Sequence, residues 1–294
     1  MYDLFIGVDW SGARGEFHRG IQVAEAGADD AAPQIITSPH PRGWSRAAVL
    51  DHLRQRAASR SVLAGIDFAF AHPFGDEGYY PGSETHLQDA LALWQMVEEV
   101  NAGQDHLYGG GIWKHPQYGG YYNAPIAGGR GAAFTSRRRL TEVVSARVNG
   151  RHPSPTFNCV GPAGVGTGSL AGMRLLHRLA GEASIWPLMP QEGAALTVAE
   201  IFPALYFAMA GVTDRQKKAD PLAALNTALD SWGSDGVAAI AERLPDHDDV
   251  DALVSAAALR RLAYRGMPEL PAEATAITRC EGWIFGVGWA KDVP

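Results

Sequence analysis

The sequence predicts a single α/β domain in which a mixed sheet is flanked by helices. Apolar runs of strand length alternate along the chain with longer runs whose apolar positions follow the helical period. The 294 residues are 46% hydrophobic, which is enough to bury one large core. No internal repeat and no linker-like stretch divides the chain. We therefore expect one elaborated domain over residues 1–294 and not two.

The first quarter of the chain predicts three strands, a helix and a fourth strand. Leu4–Val8 is an apolar run typical of a buried strand, Gly20–Ala26 is its expected hairpin partner, and a third strand begins at Gln34. The following stretch WSRAAVLDHLRQRAAS has helical spacing, with Ser45 as its N-cap. The apolar run Val62–Phe70 then predicts a central strand.

The middle of the chain, residues 74–196, has a different character. It contains the Gly- and Tyr-rich stretch GGGIWKHPQYGGYYNAPIAGG and the Arg-rich helix candidate SRRRLTEVVSARV. Beyond it, TVAEIFPALYFAMAG predicts a strand that turns at Pro203 into a helix. Helices are expected near Pro221–Leu229, near Gly236–Leu244 and over DHDDVDALVSAAALRRLAY, and a last strand over EGWIFGV. The core is thus assigned to residues 1–73 and 197–294, and the middle to an insertion.

Carboxylates interrupt this apolar framework at three places. Asp9 lies in the opening apolar run and Asp67 in the fourth strand candidate, whereas Asp248 and Asp251 are three apart and so share one helical face. An unpaired buried carboxylate costs several kcal/mol, so Asp67 needs a cation, a metal or a proton. Two structural alternatives stay open: Asp9 as a turn residue bonded to backbone N–H groups, and the acidic turn as a helix cap.

Together, the motifs VDWSGA, GIDFAFAHP, AEIFPA, HDDVDALVSAAAL and EGWIF resemble the domain-of-unknown-function 429 family, whose members are predicted nucleases with an RNase H-like fold. The run from Asp248 onward, D-x-x-D-A-L, also resembles the helix of RuvC-type junction resolvases. The resemblance implies that Asp9, Asp67, Asp248 and Asp251 are catalytic metal ligands. It assigns Glu200 to the same catalytic set, although a purely structural role for this acid stays open.

The same resemblance implies an RNase H-like mixed sheet with residues 74–196 inserted between the fourth and fifth core strands. Because the insertion leaves the core just after Asp67 and returns just before Glu200, we expect it to form a lid over that edge, or a subdomain. The resemblance also implies a nuclease or phosphodiesterase that uses Mg²⁺ or Mn²⁺, two ions being expected. One alternative is an ATP-dependent phosphotransferase of the actin and sugar-kinase type, because Asp9 is followed by Ser11 and Gly12, although no second copy of GVDWSGA occurs. Another is a non-catalytic module that binds a nucleotide or a partner.

Candidate substrate-binding residues are Ser11 after the first strand, the cluster Arg137, Arg138 and Arg139, and Trp113. Arginines bind phosphates and aromatic rings stack on bases, but solvated arginines and a ring packed inside the protein are equally open. The Gly-rich loop 161–169 lacks the Lys of a phosphate-binding P-loop, so helix capping and an anion contact both stay open.

Composition narrows the class of partner. The net charge of −7 argues against a general polyanion binder, so contact with nucleic acid or a small phosphodiester must be local. The two cysteines are far apart, which is usual for a reducing compartment, and the first residues lack a signal-peptide pattern. We expect a cytoplasmic protein that does not enter a membrane. Nothing in the sequence predicts its oligomeric state.

Overall fold

The computed structural model describes residues 1–161, 164–238, 245–264, 266–267, 269–270 and 272–289, which form a mixed sheet between two layers of helices. The strands are β1 Leu4–Asp9, β2 Phe17–His18, β3 Gln22–Gly27, β4 Gln34–Ile35, β5 Trp44–Ser45, β6 Val62–Ile66, β7 Ser184–Trp186 and β8 Leu196–Glu200. The helices are α1 Arg46–Ala57, α2 Ala90–Val100, α3 Leu140–Val144, α4 Gly166–Leu179, α5 Pro203–Met209, α6 Asp214–Ala219, α7 Pro221–Ser231, α8 His247–Ala263, α9 Ala272–Thr275 and α10 Thr278–Glu281.

The main sheet has the order β4-β3-β1-β6-β8-β7, and β2 pairs separately with β5. β1 is antiparallel to β3 and parallel to β6, which is in turn parallel to β8. Val8 pairs with Ile66, and Ile66 pairs with Glu200. The three parallel strands therefore end at one edge of the sheet.

Helices cover both faces of the sheet. Buried residues of α1, α2 and α4 form one apolar cluster with β1 and β6, and those of α5, α7 and α8 form the other with β3 and β8. The approach of α8 is close, because a Cβ atom at Gly7 would lie 2.3 Å from the Ala252 carbonyl oxygen. The absence of a side chain at Gly7 and the small alanine side chains of α8 thus allow this helix to pack closely against the sheet.

Several predicted elements are confirmed. Helix α1 starts after Ser45, whose Oγ accepts a hydrogen bond from the Ala48 N–H at 3.0 Å. β8 gives way to α5 at Pro203, which occupies the first helical position. α8 covers most of the long run after residue 246. Within the described residues no helix is both long and apolar enough to cross a bilayer.

Other boundaries correct the predictions. β6 ends at Ile66, so Asp67 follows the strand instead of lying within it. The expected last strand over EGWIFGV is not formed: the segment turns at Gly282 and Gly286, which have φ of 71° and 93°, and Ile284 makes only an isolated bridge to Glu200. The edge strand β7 was not predicted. In the expected helix 236–244, residues 236–238 are not helical and the others lie outside the described residues.

Candidate functional site

Two aspartates meet at the ends of neighbouring parallel strands. Asp9 is the last residue of β1, and Asp67 is the first residue after β6. The Asp67 N–H donates to the Val8 carbonyl oxygen at 3.0 Å, which continues the ladder between the two strands past the end of β6. The backbone itself therefore brings the two carboxylates to one point of the sheet edge.

The acidic residues at the start of α8 have two different roles: some cap the helix, and the others face the site. The Asp246 Oδ1 accepts from the N–H groups of Asp248 and Asp249, each at 3.1 Å, and the Asp249 carboxylate accepts from the Asp246 N–H at 2.9 Å. Capping is thus performed by Asp246 and Asp249. The side chains of Asp248 and Asp251, the pair predicted from helical spacing, take no part in it.

Electrostatic repulsion couples these acids. Burial raises the pKa of Asp9 well above its usual value, and the negative charges of Asp67, Asp251 and Asp248 raise it further. Burial also raises the pKa of Asp67 well above its usual value, with Asp251 and Glu200 adding to the effect. Such mutual effects require that three segments, the ends of β1 and β6 and the first turn of α8, lie near one another. Asp9, Asp67 and Asp251 are therefore neighbours, and Asp248 is near enough to Asp9 to raise its pKa.

Asp9 and Asp67 are half-buried and lack the hydrogen bonds that usually stabilise a carboxylate shielded from water. Among the described residues no N–H or O–H group donates to either side chain. In particular, neither the Ser11 nor the Gly12 N–H donates to Asp9 among the described contacts, so the alternative of Asp9 as a turn residue is not supported. The repulsion between these two carboxylates is unfavourable, and a bound cation would reduce it.

A lysine that the sequence analysis missed is bound to Asp251. The Lys217 Nζ on α6 lies 2.5 and 2.6 Å from the two carboxylate oxygens of Asp251. Its charge lowers the pKa of Asp9 and of Asp67, and so opposes the effect of burial. Lys217 and Asp251 are 34 residues apart, and no spacing rule connects them. The sequence carries no local signal for this contact.

Glu200 belongs to a second charged cluster on the next strand. Its carboxylate oxygens accept from the Arg139 Nη2 at 2.5 Å and Nη1 at 2.7 Å, and from the Phe70 N–H at 3.0 Å. The Arg139 Nε also donates to Glu142 at 2.9 Å. All three charged side chains are at most 3% exposed. These contacts favour the structural alternative for Glu200.

The predicted substrate-binding residues of the insertion make contacts within the protein, although Arg138 is exposed. Arg139 is buried against Glu200 and Glu142, Arg137 pairs with Asp76, and Arg138 donates to the Pro153 carbonyl oxygen. Trp113 is 6% exposed. Stacking on a base requires a free ring face, and contact with phosphate requires a free guanidinium group. The structure therefore does not support the expectation that Trp113 and Arg139 bind substrate.

A cleft of about 450 Å³ opens beside Asp67. Its wall combines the turn after β1, the start of α4 and the ends of β6 and β8, and Ser11 lies on it as predicted. The lining is mainly uncharged, with the rings of Trp10, Phe68 and Phe202 and the hydroxyls of Ser11, Ser154 and Thr167. Residues of the 74–196 segment thus form one wall of a cleft at the carboxylate edge.

Part of the Gly-rich loop lies on this cleft, while Pro162 and Ala163 are outside the described residues. Neither Thr167 nor Ser169 caps α4, because their hydroxyls donate to the carbonyl oxygens of Cys159 and Val165. A Cβ atom at Gly12 would lie 2.2 Å from the Gly168 nitrogen. Close packing of the two loops therefore explains the glycine at position 12 without a phosphate.

The donor set fits a hard divalent cation, because it consists of carboxylate oxygens with unfilled hydrogen-bonding capacity. In the described ranges, however, no three Asp, Glu, His or Cys side chains already stand as ligands around one point. Asp251, the third acid nearest Asp9 and Asp67 in electrostatic terms, is held by Lys217. A side-chain movement at Asp251 must therefore accompany binding by three carboxylates.

The chain matches no family model, and no curated protein or solved structure is significantly similar to it. The resemblance to the domain-of-unknown-function 429 family stays a prediction.

Proposed function

We propose that this chain is an RNase H-like, divalent-metal-dependent phosphodiesterase or nuclease. The strand order supports the fold: three antiparallel strands, β4, β3 and β1, are followed by the parallel strands β6 and β8. α8 crosses the sheet and places its first turn at the ends of β1 and β6. Residues 74–196 lie between β6 and β8, where the resemblance expects an insertion.

One observation carries the proposed chemistry. Asp9 and Asp67 are drawn together by the strand ladder, are desolvated, and have no donor among the described residues. A fold does not keep two repelling carboxylates in this state for stability, because each raises the free energy of the folded chain. Perturbed acids beside a cleft are typical of a catalytic or metal-binding site.

In the proposed mechanism Asp9, Asp67 and, after release from Lys217, Asp251 would hold Mg²⁺ or Mn²⁺, with Asp248 at the rim of the same cluster. The metal supplies Lewis acidity toward a phosphodiester and a lowered pKa of bound water. The chain positions the scissile group through the cleft beside Asp67. Its aromatic and aliphatic wall is suited to contact an apolar part of the substrate, and the hydroxyls of Ser11 and Thr167 offer uncharged hydrogen bonds to it.

The character of the cleft favours a small phosphodiester or one end of a single strand over a duplex. Its described lining holds one cation, Arg139, whose charge is already taken by Glu200 and Glu142. Recognition of a duplex depends on many lysine and arginine contacts to phosphates. A mostly apolar cleft is better suited to one base and its sugar.

The test compares wild type, Asp67→Asn and, as a control on the exposed face of α1, Asp51→Asn. Each protein is incubated with Mn²⁺, Mg²⁺ or EDTA and with single-stranded DNA, single-stranded RNA or a bis-nitrophenyl phosphate reporter. We expect metal-dependent cleavage of at least one substrate by wild type and Asp51→Asn, and a loss of at least about 100-fold in Asp67→Asn. Absence of cleavage by wild type in every mixture would favour the non-catalytic alternative.

A further inference from the structure

Lys217 places a positive charge inside a group of carboxylates. Its Nζ lies within 2.6 Å of both oxygens of Asp251, and its charge acts on Asp9 and Asp67 as well. The Lys217 side chain is 18% exposed and that of Asp251 is 19% exposed, so the pair is largely shielded from solvent. An ammonium group in this position supplies a positive charge that partly compensates the negative charges of the carboxylates.

The surroundings of Lys217 fix this position. Its Nζ lies 5.1 Å from the centroid of the Phe207 ring, an arrangement in which the ring face attracts a cation. α6 begins with a capping box, in which the side chains of Thr213 and Gln216 each accept from the other residue's backbone N–H. The neighbouring Lys218 on the same helix is exposed. Lys217 is thus directed into the cluster by packing and capping.

We propose that Lys217 is the resident counter-ion of the carboxylate cluster and competes with a divalent cation for Asp251. This inference rests on the proposed function. An ammonium and a dication cannot both occupy the space in front of one carboxylate, so Asp251 becomes a ligand only when Lys217 leaves it. The lysine keeps the metal-free protein folded, and its departure couples metal binding to a movement of the side chain.

The competition explains why the acids converge without forming a complete set of ligands. Within the part of the chain that the structure describes, no group donates a hydrogen bond to Asp9 or Asp67, whereas the carboxylate that would complete the set is bound by Lys217. The free energy of metal binding to wild type therefore includes an unfavourable contribution from breaking the contact between the Lys217 ammonium and both oxygens of Asp251. Replacing Lys217 with an uncharged residue removes that cost and also removes a repelling positive charge.

The main experiment measures Mn²⁺ affinity by calorimetry for full-length wild type, Lys217→Met, Asp67→Asn and the matched control Lys218→Met. Methionine keeps a flexible chain against Phe207 and removes the charge. We expect Lys217→Met to bind Mn²⁺ at least about tenfold more tightly than wild type, and Lys218→Met to stay within about twofold of wild type, since exposed charges are screened. Without metal, Lys217→Met should melt at a lower temperature than wild type.

A second measurement uses wild type alone, so it does not depend on the folding of a variant. An amine-reactive reagent is applied with and without Mn²⁺, and modification at Lys217 and Lys218 is quantified by mass spectrometry. We expect Mn²⁺ to raise the labelling rate of Lys217 several-fold, because the freed ammonium becomes accessible, and to leave Lys218 unchanged.

The outcomes separate this inference from the proposed function. If wild type binds Mn²⁺ but Lys217→Met binds it no more tightly, and labelling of Lys217 does not change, the competition is refuted while the metal site stands. If Lys217→Met binds Mn²⁺ and wild type does not, the counter-ion role is supported in its strongest form. If none of the proteins binds Mn²⁺, the proposed function fails and this inference fails with it.

Discussion

Two charged clusters lie side by side at the same edge of the sheet, and their charges are balanced differently. Around Arg139, two glutamates accept short hydrogen bonds from one guanidinium, and Glu200 also accepts from a backbone N–H. Around Asp9 and Asp67, the carboxylates have no described donor, and Lys217 bonds only to Asp251 among them. In the first cluster the buried charges are paired, which stabilises the fold. In the second cluster the negative charges are only partly compensated by positive charge.

The two clusters also differ in how burial affects their ionisation. Burial by itself would lower the pKa of Arg139, but Glu200 and Glu142 raise it above its ordinary value. Burial raises the pKa of Glu142 to about 7, and the negative charge of Glu200 adds to the effect, although Arg139 opposes it. At the site, burial and repulsion act in the same direction on Asp9 and Asp67.

The largest effect should follow from breaking the balanced cluster. Arg139→Met leaves Glu200 and Glu142 buried without their cation, so we expect it to lower the free energy of unfolding by about 3–5 kcal/mol, as measured by urea denaturation at pH 7. The control is Arg54→Met, which removes an exposed two-bond contact with Glu182 and should cost less than about 1 kcal/mol. Equal losses in the two variants would contradict the structural role of Arg139.

A smaller loss is expected when only the shared acid is changed. Glu200→Gln keeps the shape and a hydrogen-bond acceptor but removes one charge, so the free energy of unfolding should fall by about 2–3 kcal/mol in urea denaturation. Because the variant leaves Asp9 and Asp67 in place, Mn²⁺ should still raise its melting temperature. If Glu200→Gln loses stability little and loses the Mn²⁺ response completely, Glu200 belongs to the metal site and the distinction between the clusters is wrong.

His72 is a third buried polar group, satisfied without charge by the hydroxyls of Thr156 and Tyr122 at 2.8 and 2.9 Å. Burial, with Arg139 and Arg137 adding to it, lowers the pKa of His72 to about 3. Below the usual value of 6.5, the unfolded chain binds a proton that the folded protein excludes. Stability should therefore fall as the pH drops from 6.5 toward 3, by up to about 1.4 kcal/mol per pH unit.

His72→Gln should make that dependence shallower, by up to about 2 kcal/mol between pH 6.5 and 5. Urea denaturation at several pH values measures the difference, and His86→Gln, at an exposed position, should leave the dependence unchanged. An unaltered slope in His72→Gln would show that another group causes the acid sensitivity.

The smallest effect, opposite in sign, is expected at the unbalanced cluster. The pKa of Asp67 is raised in the folded protein, so its stabilising contribution is complete below the unfolded value of about 3.8 and is lost as the pH rises through the folded value. Asp67→Asn should therefore raise the melting temperature of the metal-free protein at pH 7 by about 2 °C, while Asp51→Asn should not. A lower melting temperature would indicate that Asp67 stabilises the fold.

The sequence predicted the parts of this comparison that depend on local pattern. Apolar periodicity located β1, β6, β8 and α8, and carboxylates within apolar surroundings singled out Asp9 and Asp67. Helical spacing separated Asp248 and Asp251 from Asp249, which the structure uses for capping. Each of these inferences involves residues a few positions apart, for which the geometry of one strand or helix is sufficient.

Contacts between distant segments could not be predicted in this way. The run of three arginines suggested a surface for phosphates, but Arg139 is drawn inside by Glu200, which is 61 residues away. Lys217 reaches Asp251 through the packing of α6 beside α8, and a single sequence carries no trace of that proximity. The final EGWIFGV run has the composition of a strand, yet two glycines with positive φ turn it away from the sheet after a single bridge.

The central claim is that Asp9 and Asp67 form a site for a divalent cation. The most direct measurement is anomalous diffraction from crystals of wild type and Asp67→Asn soaked in Mn²⁺. We predict a peak in wild type within about 2.5 Å of carboxylate oxygens of both Asp9 and Asp67, and no such peak in Asp67→Asn. Wild-type crystals that bind Mn²⁺ only elsewhere, or not at all under saturating soaks, would contradict the claim.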